Sequence, residues 1–445
     1  MRFDEIKELL FEAAKQAGLS QYDVYYCFAD DESAQALNGE MDSCSSGRSG
    51  GVSFRCAVNG RIGSAATQSL EKAEIVKLVE RAIANAAVIE ADEEPVFFEG
   101  ADPSAYRAVT VTPPELPGVA TLRHTVMELQ QKLYAASPMM TDGTCSAAGA
   151  AKVAVALANS NGLCLAREAG AVFTYVEPIV NDGKEPSFGS ASAPTLSTDT
   201  DIVQKATDEA LARLGAGAVQ TGKYDVIFDA RQVRTLLSAF SGIFSGKNAL
   251  LGLSLLKGKE GEQIAAECVN IVDDPFYPEN TMQCPFDAEG VPTKEKHLIK
   301  NGVLQTLLYD LTNAKKAGVS STGNAARGYA DPVAIAPYCL RIEAGAYTPE
   351  ALLERLENGL YITELKGLHA GADAVTGDFS IESAGFLVEN GKRSRPVHSF
   401  TVAGNFFQLL TSIDGVANNV EMGMCATTVM AAPDILVRSL AVAGE

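Results

Sequence analysis

The sequence predicts an α+β protein: an N-terminal mixed α/β domain of helices and antiparallel strands over residues 1–220, then a C-terminal domain of curved, mostly antiparallel β-sheets over residues 221–445. Three observations carry this prediction. Helical spacing of apolar residues opens the chain and returns before residue 215, Asn-Gly turns join runs that alternate small or apolar with polar residues, and a small-residue connector over 215–222 separates a helical segment from a hydrophobic strand. With 445 residues, 47% of them hydrophobic and 21% charged, the chain has enough apolar material to form sizeable cores.

Each element follows in order. Phe3, Ile6, Leu9, Leu10 and Ala13 fall on one helical face and the pattern stops at Gly18, which predicts an opening amphipathic helix. Residues 22–28 are β-branched and aromatic, and residues 51–58 alternate and run into Asn59-Gly60, which predicts a hairpin with its return strand over 61–67. Helical periodicity covers 70–87, the acidic, Pro-rich stretch 90–117 reads as a surface connection, and a further helix covers 118–136. Between 145 and 180 two strands are broken by Asn159-Ser-Asn-Gly162. The Ala-rich run 150–158 could be helical on propensity alone, but the flanking turn and Val172-Phe-Thr-Tyr-Val favour β. A helix over 199–214, a strand over 224–228 and a helix over 230–244 come next. Short glycine-punctuated strands follow, with one more helix near 349–358.

Charge and motif content narrow the function. The 36 basic and 56 acidic residues leave a net charge of -20, a field that repels phosphate backbones and argues against direct nucleic-acid binding. No apolar run reaches the roughly 20 residues of a membrane span. The N-terminus reads as a helix rather than a signal peptide, and nine scattered, buried-looking cysteines without a C-x-x-C pair suit reduced thiols in the cytoplasm. His124, His297, His369 and His398 are too dispersed for a two-histidine metal face, and neither a G-x-S-x-G elbow nor a phosphate-binding loop is present. Asp273-Asp274 and the acidic run 92–94 lack calcium-loop spacing and read as solvated loop faces.

The more informative segments lie in the last third: Phe286-Asp-Ala-Glu-Gly290-Val-Pro-Thr293, Ile299-Lys-Asn-Gly302-Val-Leu, Ser321-Thr-Gly-Asn-Ala-Ala-Arg327, Gly377-Asp-Phe-Ser380, Gly385-Phe-Leu-Val-Glu-Asn390-Gly391 and Val402-Ala-Gly-Asn405. Glycine in extended segments lets another backbone approach, so strand addition of a peptide is the chemistry they suit. Gly290, Thr322, Gly323, Asn324, Arg327, Gly377, Asp378, Phe379 and Ser380 are the candidate groove residues. In order, these motifs closely resemble the TldD/PmbA family, known as modulators of DNA gyrase or peptide-maturation proteins. The resemblance extends to Arg48-Ser-Gly-Gly-Val-Ser-Phe-Arg-Cys-Ala-Val-Asn-Gly-Arg-Ile-Gly63 and to Asn159-Ser-Asn-Gly162.

That resemblance implies a cytoplasmic protease in which one subunit type holds zinc through a His-Glu-x-x-x-His helix and a downstream Cys, while a sister type lacks these ligands. Ser238 and Ile243 stand where the histidines would be and Ala239 where the general-base Glu would be. Counting back from Pro433, the third ligand falls near Asn419, with Cys425 out of register. The chain thus looks like the PmbA (TldE) type. The resemblance implies no catalytic residues and no metal here, zinc in a TldD-like metalloprotease partner, and a small or unfolded peptide as substrate; separately, strand edges after Gly290 and apolar stretches such as 400–410 predict that the isolated chain self-associates as a homodimer. Two alternatives stay open: an autonomous peptidase with a non-standard site, and a non-proteolytic, protein-binding modulator of DNA gyrase or toxin–antitoxin systems.

Overall fold

Two Asn-Gly pairs shape the first sheet. Asn38-Gly39 has φ of 54° and 82°, and Asn59-Gly60 has 51° and 75°, the left-handed geometry whose twist matches that of flanking strands. In the computed structural model, which describes residues 1–89, 96–425 and 428–445, they join β1 (Tyr22–Leu37), β2 (Glu40–Val58) and β3 (Arg61–Thr67). β1 then pairs with β4 (Cys145–Asn159), and β4 with β5 (Cys164–Glu177). After a short ladder of β6 (Ile179–Asn181) and β7 (Pro186–Phe188), β8 (Ala191–Ala193) becomes the far edge, giving the order β3-β2-β1-β4-β5-β8.

Helices α1 (Phe3–Gln16) and α2 (Lys72–Val88) cover one end of this sheet, burying Ile6, Leu10, Ile75 and Leu78 against Val24 and Phe54. Gly63 of β3 makes the close approach possible, since a Cβ there would stand 1.9 Å from the carbonyl oxygen of Ala82 on α2. Helices α3 (Val119–Ala136) and α4 (Ile202–Ala212) bury Leu129, Leu133, Ile202 and Val203 with Val176 of β5. The connection over 90–117 lies partly outside the described residues, including its acidic run 92–94. Its remainder is anchored, with Phe97 buried and the Tyr106 hydroxyl donating to the Gly290 carbonyl at 2.9 Å.

The chain continues with β9 (Gly222–Phe228), α5 (Ala230–Phe240), α6 (Gly246–Leu250), β10 (Ile271–Asp273), β11 (Lys296–Lys300), β12 (Val303–Leu304), α7 (Leu311–Ala317), β13 (Ala325–Ala326), β14 (Ala334–Ile335) and β15 (Cys339–Ile342). Then come α8 (Pro349–Leu356), β16 (Gly359–Lys366), α9 (Leu368–Gly371), β17 (Asp378–Glu389), β18 (Lys392–Asn405), α10 (Phe406–Thr411), β19 (Ile413–Val416), β20 (Glu421–Cys425), β21 (Thr428–Ala432) and β22 (Ile435–Ala443). Strands β18-β17-β16-β9-β22 follow one another round a ring, because β22 also pairs with β18 through residues 441–443; β19 lies along β22. A second sheet runs β12-β11-β10-β15-β21-β20. Most pairings are antiparallel, as the sequence predicts, with parallel exceptions at β9–β16 and β15–β21. The largest core lies here, with Phe228, Phe240, Phe244, Phe400 and Val437 at its centre.

Several expectations are corrected. Beyond residue 245 the sequence reading has one helix, but α6, α7, α9 and α10 are present as well as α8. Each is too short for periodicity to register, and α7 and α10 start at side-chain caps, Asp310 and Asn405. The stretch 400–410 offers little apolar surface, since Phe400, Val402, Phe406, Leu409 and Leu410 are buried and Phe407 is half-buried; Leu251, Leu253 and Leu255 are exposed instead. Asp273 is not solvated but fully buried. Its carboxylate accepts from Lys296 Nζ at 3.0 Å, Asn324 Nδ2 at 2.7 Å and the Tyr338 N–H at 2.8 Å. The thiols are mixed in character: Cys44, Cys164 and Cys268 are exposed. Among the described residues, no helix is long and apolar enough to cross a membrane.

Candidate functional site

Helix α5 begins where β9 ends, and the local sequence fixes that junction. Asp229 caps the helix, its Oδ1 accepting from the Gln232 N–H at 2.8 Å. A second carboxylate arrives from the loop before β22. Asp434 Oδ1 accepts from the Ala230 N–H at 2.8 Å and from Asn419 Nδ2 at 2.9 Å, and its Oδ2 accepts from the Tyr361 hydroxyl at 2.9 Å. Two acids thus meet the positive end of one helix. Burial pushes Asp229 up to about 6. Arg231 opposes the shift, while Asp434 and Glu209 add to it. Burial also holds the Tyr361 phenol well above its usual range.

These groups line a cleft of about 600 Å³. Along one wall, Arg231 Nη1 donates to Ser190 Oγ at 2.8 Å and Nη2 pairs with Glu209, which also holds Arg213 at 2.6 Å. Along the other, the Arg234 guanidinium lies so close to Gly423 that any Cβ would collide with Nη1, and it reaches Glu421 at 3.9 Å. The cleft is bounded by Ala191–Ala193 of β8 and by Glu421 and Met422 of β20. Both strands are terminal in their sheets. Free strand edges facing one cleft can take the backbone of an extended chain as an added strand, with Arg231, Arg234 and the acids meeting its polar groups.

The sequence-derived positions fall around this cleft unevenly. Ser238 follows Arg234 by one helical turn on α5 and is half-buried, as is Ala239, while Ile243 sits in a 3₁₀ turn and is wholly buried between Phe240 and Phe244. An aliphatic side chain in the core, an alanine and one hydroxyl do not fit a catalytic zinc. Among the described residues, no three His, Cys, Asp or Glu are grouped to hold a metal ion. Asn419 does line the cleft, but both ends of its amide are bound to Asp434. The Cys425 thiol packs against the main core; burial raises its pKa and Arg234 opposes the rise.

None of the nine candidate groove residues lines the cleft. Gly290, Gly323, Asn324 and Arg327 come together where the first sheet meets the C-terminal region. A Cβ on Gly290 would strike Leu163, and one on Gly323 the carbonyl oxygen of Pro292. Asn324 bonds Asp273, Arg327 reaches Asp23 at 3.3 Å, and the Thr322 hydroxyl accepts from the Tyr309 N–H at 2.7 Å. Gly377, Asp378, Phe379 and Ser380 lie apart on β17 and its approach: Phe379 packs edge-on to Phe240 at 6.3 Å, Asp378 accepts from Asn405 Nδ2 at 2.8 Å, and Ser380 is exposed. Sequence reasoning missed Asp229, Arg231, Tyr361 and Asp434. Only Asp229 carried a local signal, a helix cap directly after a strand.

Comparison with known proteins adds the following. The family described as PmbA/TldA metallopeptidase C-terminal domain matches residues 221–444, and that described as PmbA/TldA metallopeptidase domain 1 matches residues 22–86. A Methanothermobacter thermautotrophicus protein named metalloprotease is 27% identical over 403 residues, 87% of this chain and 86% of its own length. A Haemophilus influenzae protein named metalloprotease PmbA homolog is 26% identical over 424 residues, 92% of this chain and 90% of its own. A crystal structure from Thermotoga maritima, named for modulation of a DNA gyrase, is 31% identical with a TM-score of 0.90, covering 99% of this chain and 100% of that one.

Proposed function

The chain belongs to the PmbA/TldD metallopeptidase family, and from that membership we propose that it is the non-catalytic partner of a zinc-bearing, TldD-like subunit, holding small or unfolded peptides for cleavage by that partner. The observation that carries this reading is the end of α5 and the turn after it: Ser238, Ala239 and Ile243 offer neither imidazole nor carboxylate, and Ile243 is wholly buried. Metal-assisted hydrolysis needs ligands with an open coordination position and a base near the metal-bound water. The cleft beside α5, with its two terminal strands, supports a peptide-holding role in which main-chain hydrogen bonds supply affinity without reading sequence. The free thiols suit a reducing cytoplasm.

The test is a peptidase assay on an unstructured peptide. The pure chain should release no product and carry no stoichiometric zinc, and adding a TldD-like partner should give cleavage that a chelator abolishes. Chelator-sensitive cleavage by the chain alone, or equal activity of the partner with and without it, would refute the assignment.

A further inference from the structure

Away from the α5 cleft, where β1 and β5 meet the C-terminal region, lies a small cavity of about 110 Å³, lined by Tyr25, Arg167, Cys284, Asp287, Arg327 and Tyr338 among others. Its charges are unusual. Arg167 Nε and Nη1 are buried without any hydrogen-bond partner, and the residue makes no ion pair among the described residues. Arg327, its side chain only 2% exposed, lies over the Tyr25 ring at 4.3 Å and reaches Asp23 at 3.3 Å, yet its Nε is also unpartnered. Asp23 is already shared, since Arg55 forks onto the same carboxylate.

The other groups on the wall are occupied. Asp287 accepts from the N–H groups of Glu289 and Val291 at 2.9 Å and of Ala325 at 3.1 Å. The Cys284 thiol donates to the Phe286 carbonyl at 3.0 Å, and the Tyr25 hydroxyl to the Arg327 carbonyl at 3.2 Å. Three guanidinium nitrogens, carrying four N–H groups between them, therefore lack an acceptor. Water would meet the hydrogen bonds and leave the Arg167 charge uncompensated, which a buried site tolerates poorly. Arg167 also lines a solvent-open groove of about 840 Å³ with Arg107, Tyr26, Val109 and Phe286, and together with Val155 and Phe286 it is common to the groove and the cavity.

We infer that this cavity binds a carboxylate, held by Arg167 and Arg327 and delivered through the groove. A carboxylate has two oxygens that can accept from unpartnered N–H groups of Arg167 and from the Arg327 Nε–H, and Asp287 on the wall selects a single negative charge over a dianion. The carboxylate belongs to a small organic acid or to the C-terminus of a peptide with apolar terminal residues. The site is separate from the α5 cleft and does not depend on the partner-subunit reading.

Thermal melting and calorimetric titration of the full chain test it, exchanging chloride for acetate at fixed total salt, and adding an N-acetylated apolar dipeptide either as its free acid or as its amide. Acetate should raise the Tm saturably in the native chain and not in Arg167→Met. Tighter binding of the dipeptide acid than of acetate, with none of the amide, identifies a peptide C-terminus as the source; acetate binding alone identifies a small acid. Arg167→Lys, which keeps the charge and loses the spread of guanidinium N–H groups, should bind acetate at least tenfold more weakly and stands in should the Met variant fail to fold. A native chain that shows no saturable shift, or a shift unchanged in the Arg167 variants, overturns the proposal.

Discussion

Asp229 combines two requirements in one carboxylate: it caps α5 and it stands beside a second buried acid. With its pKa pushed up to about 6 from an ordinary 3.8, the folded chain holds its proton more tightly than the unfolded chain. Its stabilising contribution is therefore greatest below pH 3.8, is lost as pH rises from there to about 6, and changes no further above. Asn caps a helix as well as Asp does and does not titrate. Stability of Asp229→Asn relative to the native chain should thus rise across pH 4–6, by about 2–3 kcal/mol, measured as denaturant midpoints at each pH. Parallel profiles would show that the carboxylate is not in the environment described. Asp229 carried a local signal as a cap residue directly before a helix, although sequence reasoning did not single it out. Its pairing with Asp434 carried none, because that contact depends on where β22 docks against β9, a register no local spacing encodes.

Among the elements, the α2–β3 contact rests on one bare backbone position. Gly63→Val would place carbon 1.9 Å from the Ala82 carbonyl oxygen and should destabilise the chain by about 1–3 kcal/mol by forcing α2 off the sheet. Gly60→Ala in the preceding turn meets open space, and only its φ of 75° opposes it; a loss of about 1 kcal/mol is expected there. Thermal melts of the two variants rank them, and the reverse order would contradict the packing described. The helices here and strand β3 were legible to within a few residues because long amphipathic helices and Asn59-Gly60 are local signals, whereas β1 and β2 were read only over 22–28 and 51–58. Asn38-Gly39 carries the same turn chemistry and escaped notice because residues 42–49 beside it are polar and exposed in the structure, so no hydrophobic alternation marks the outer halves of β1 and β2.

The whole molecule places its cleft between parts distant in sequence: β8, the start of α5, and β20 with the loop before β22. That is why the site was not readable beforehand. Glycine-rich motifs drew attention to Gly290, Asn324, Arg327 and Phe379, which the structure uses for close packing and buried hydrogen bonds, while the cleft is lined by ordinary charged residues with no motif of their own.

The ring of β18-β17-β16-β9-β22 has a further consequence, in time rather than space. Its closing strand, Ile435–Ala443, pairs with Gly222–Phe228, so a ribosome must add roughly 200 residues after β9 before the ring can shut, about 10–40 s at ordinary elongation rates. The first sheet has all its strands by Ala193. A nascent chain stalled after residue 430 and treated with protease should keep a protected N-terminal fragment while its C-terminal region is digested, whereas synthesis through residue 443 should protect both. Equal protection in the stalled chain would mean that the ring forms without its last strand. In that interval the edges of β9 and β18 remain open to wrong partners, and this is when an edge-masking chaperone would matter to the cell.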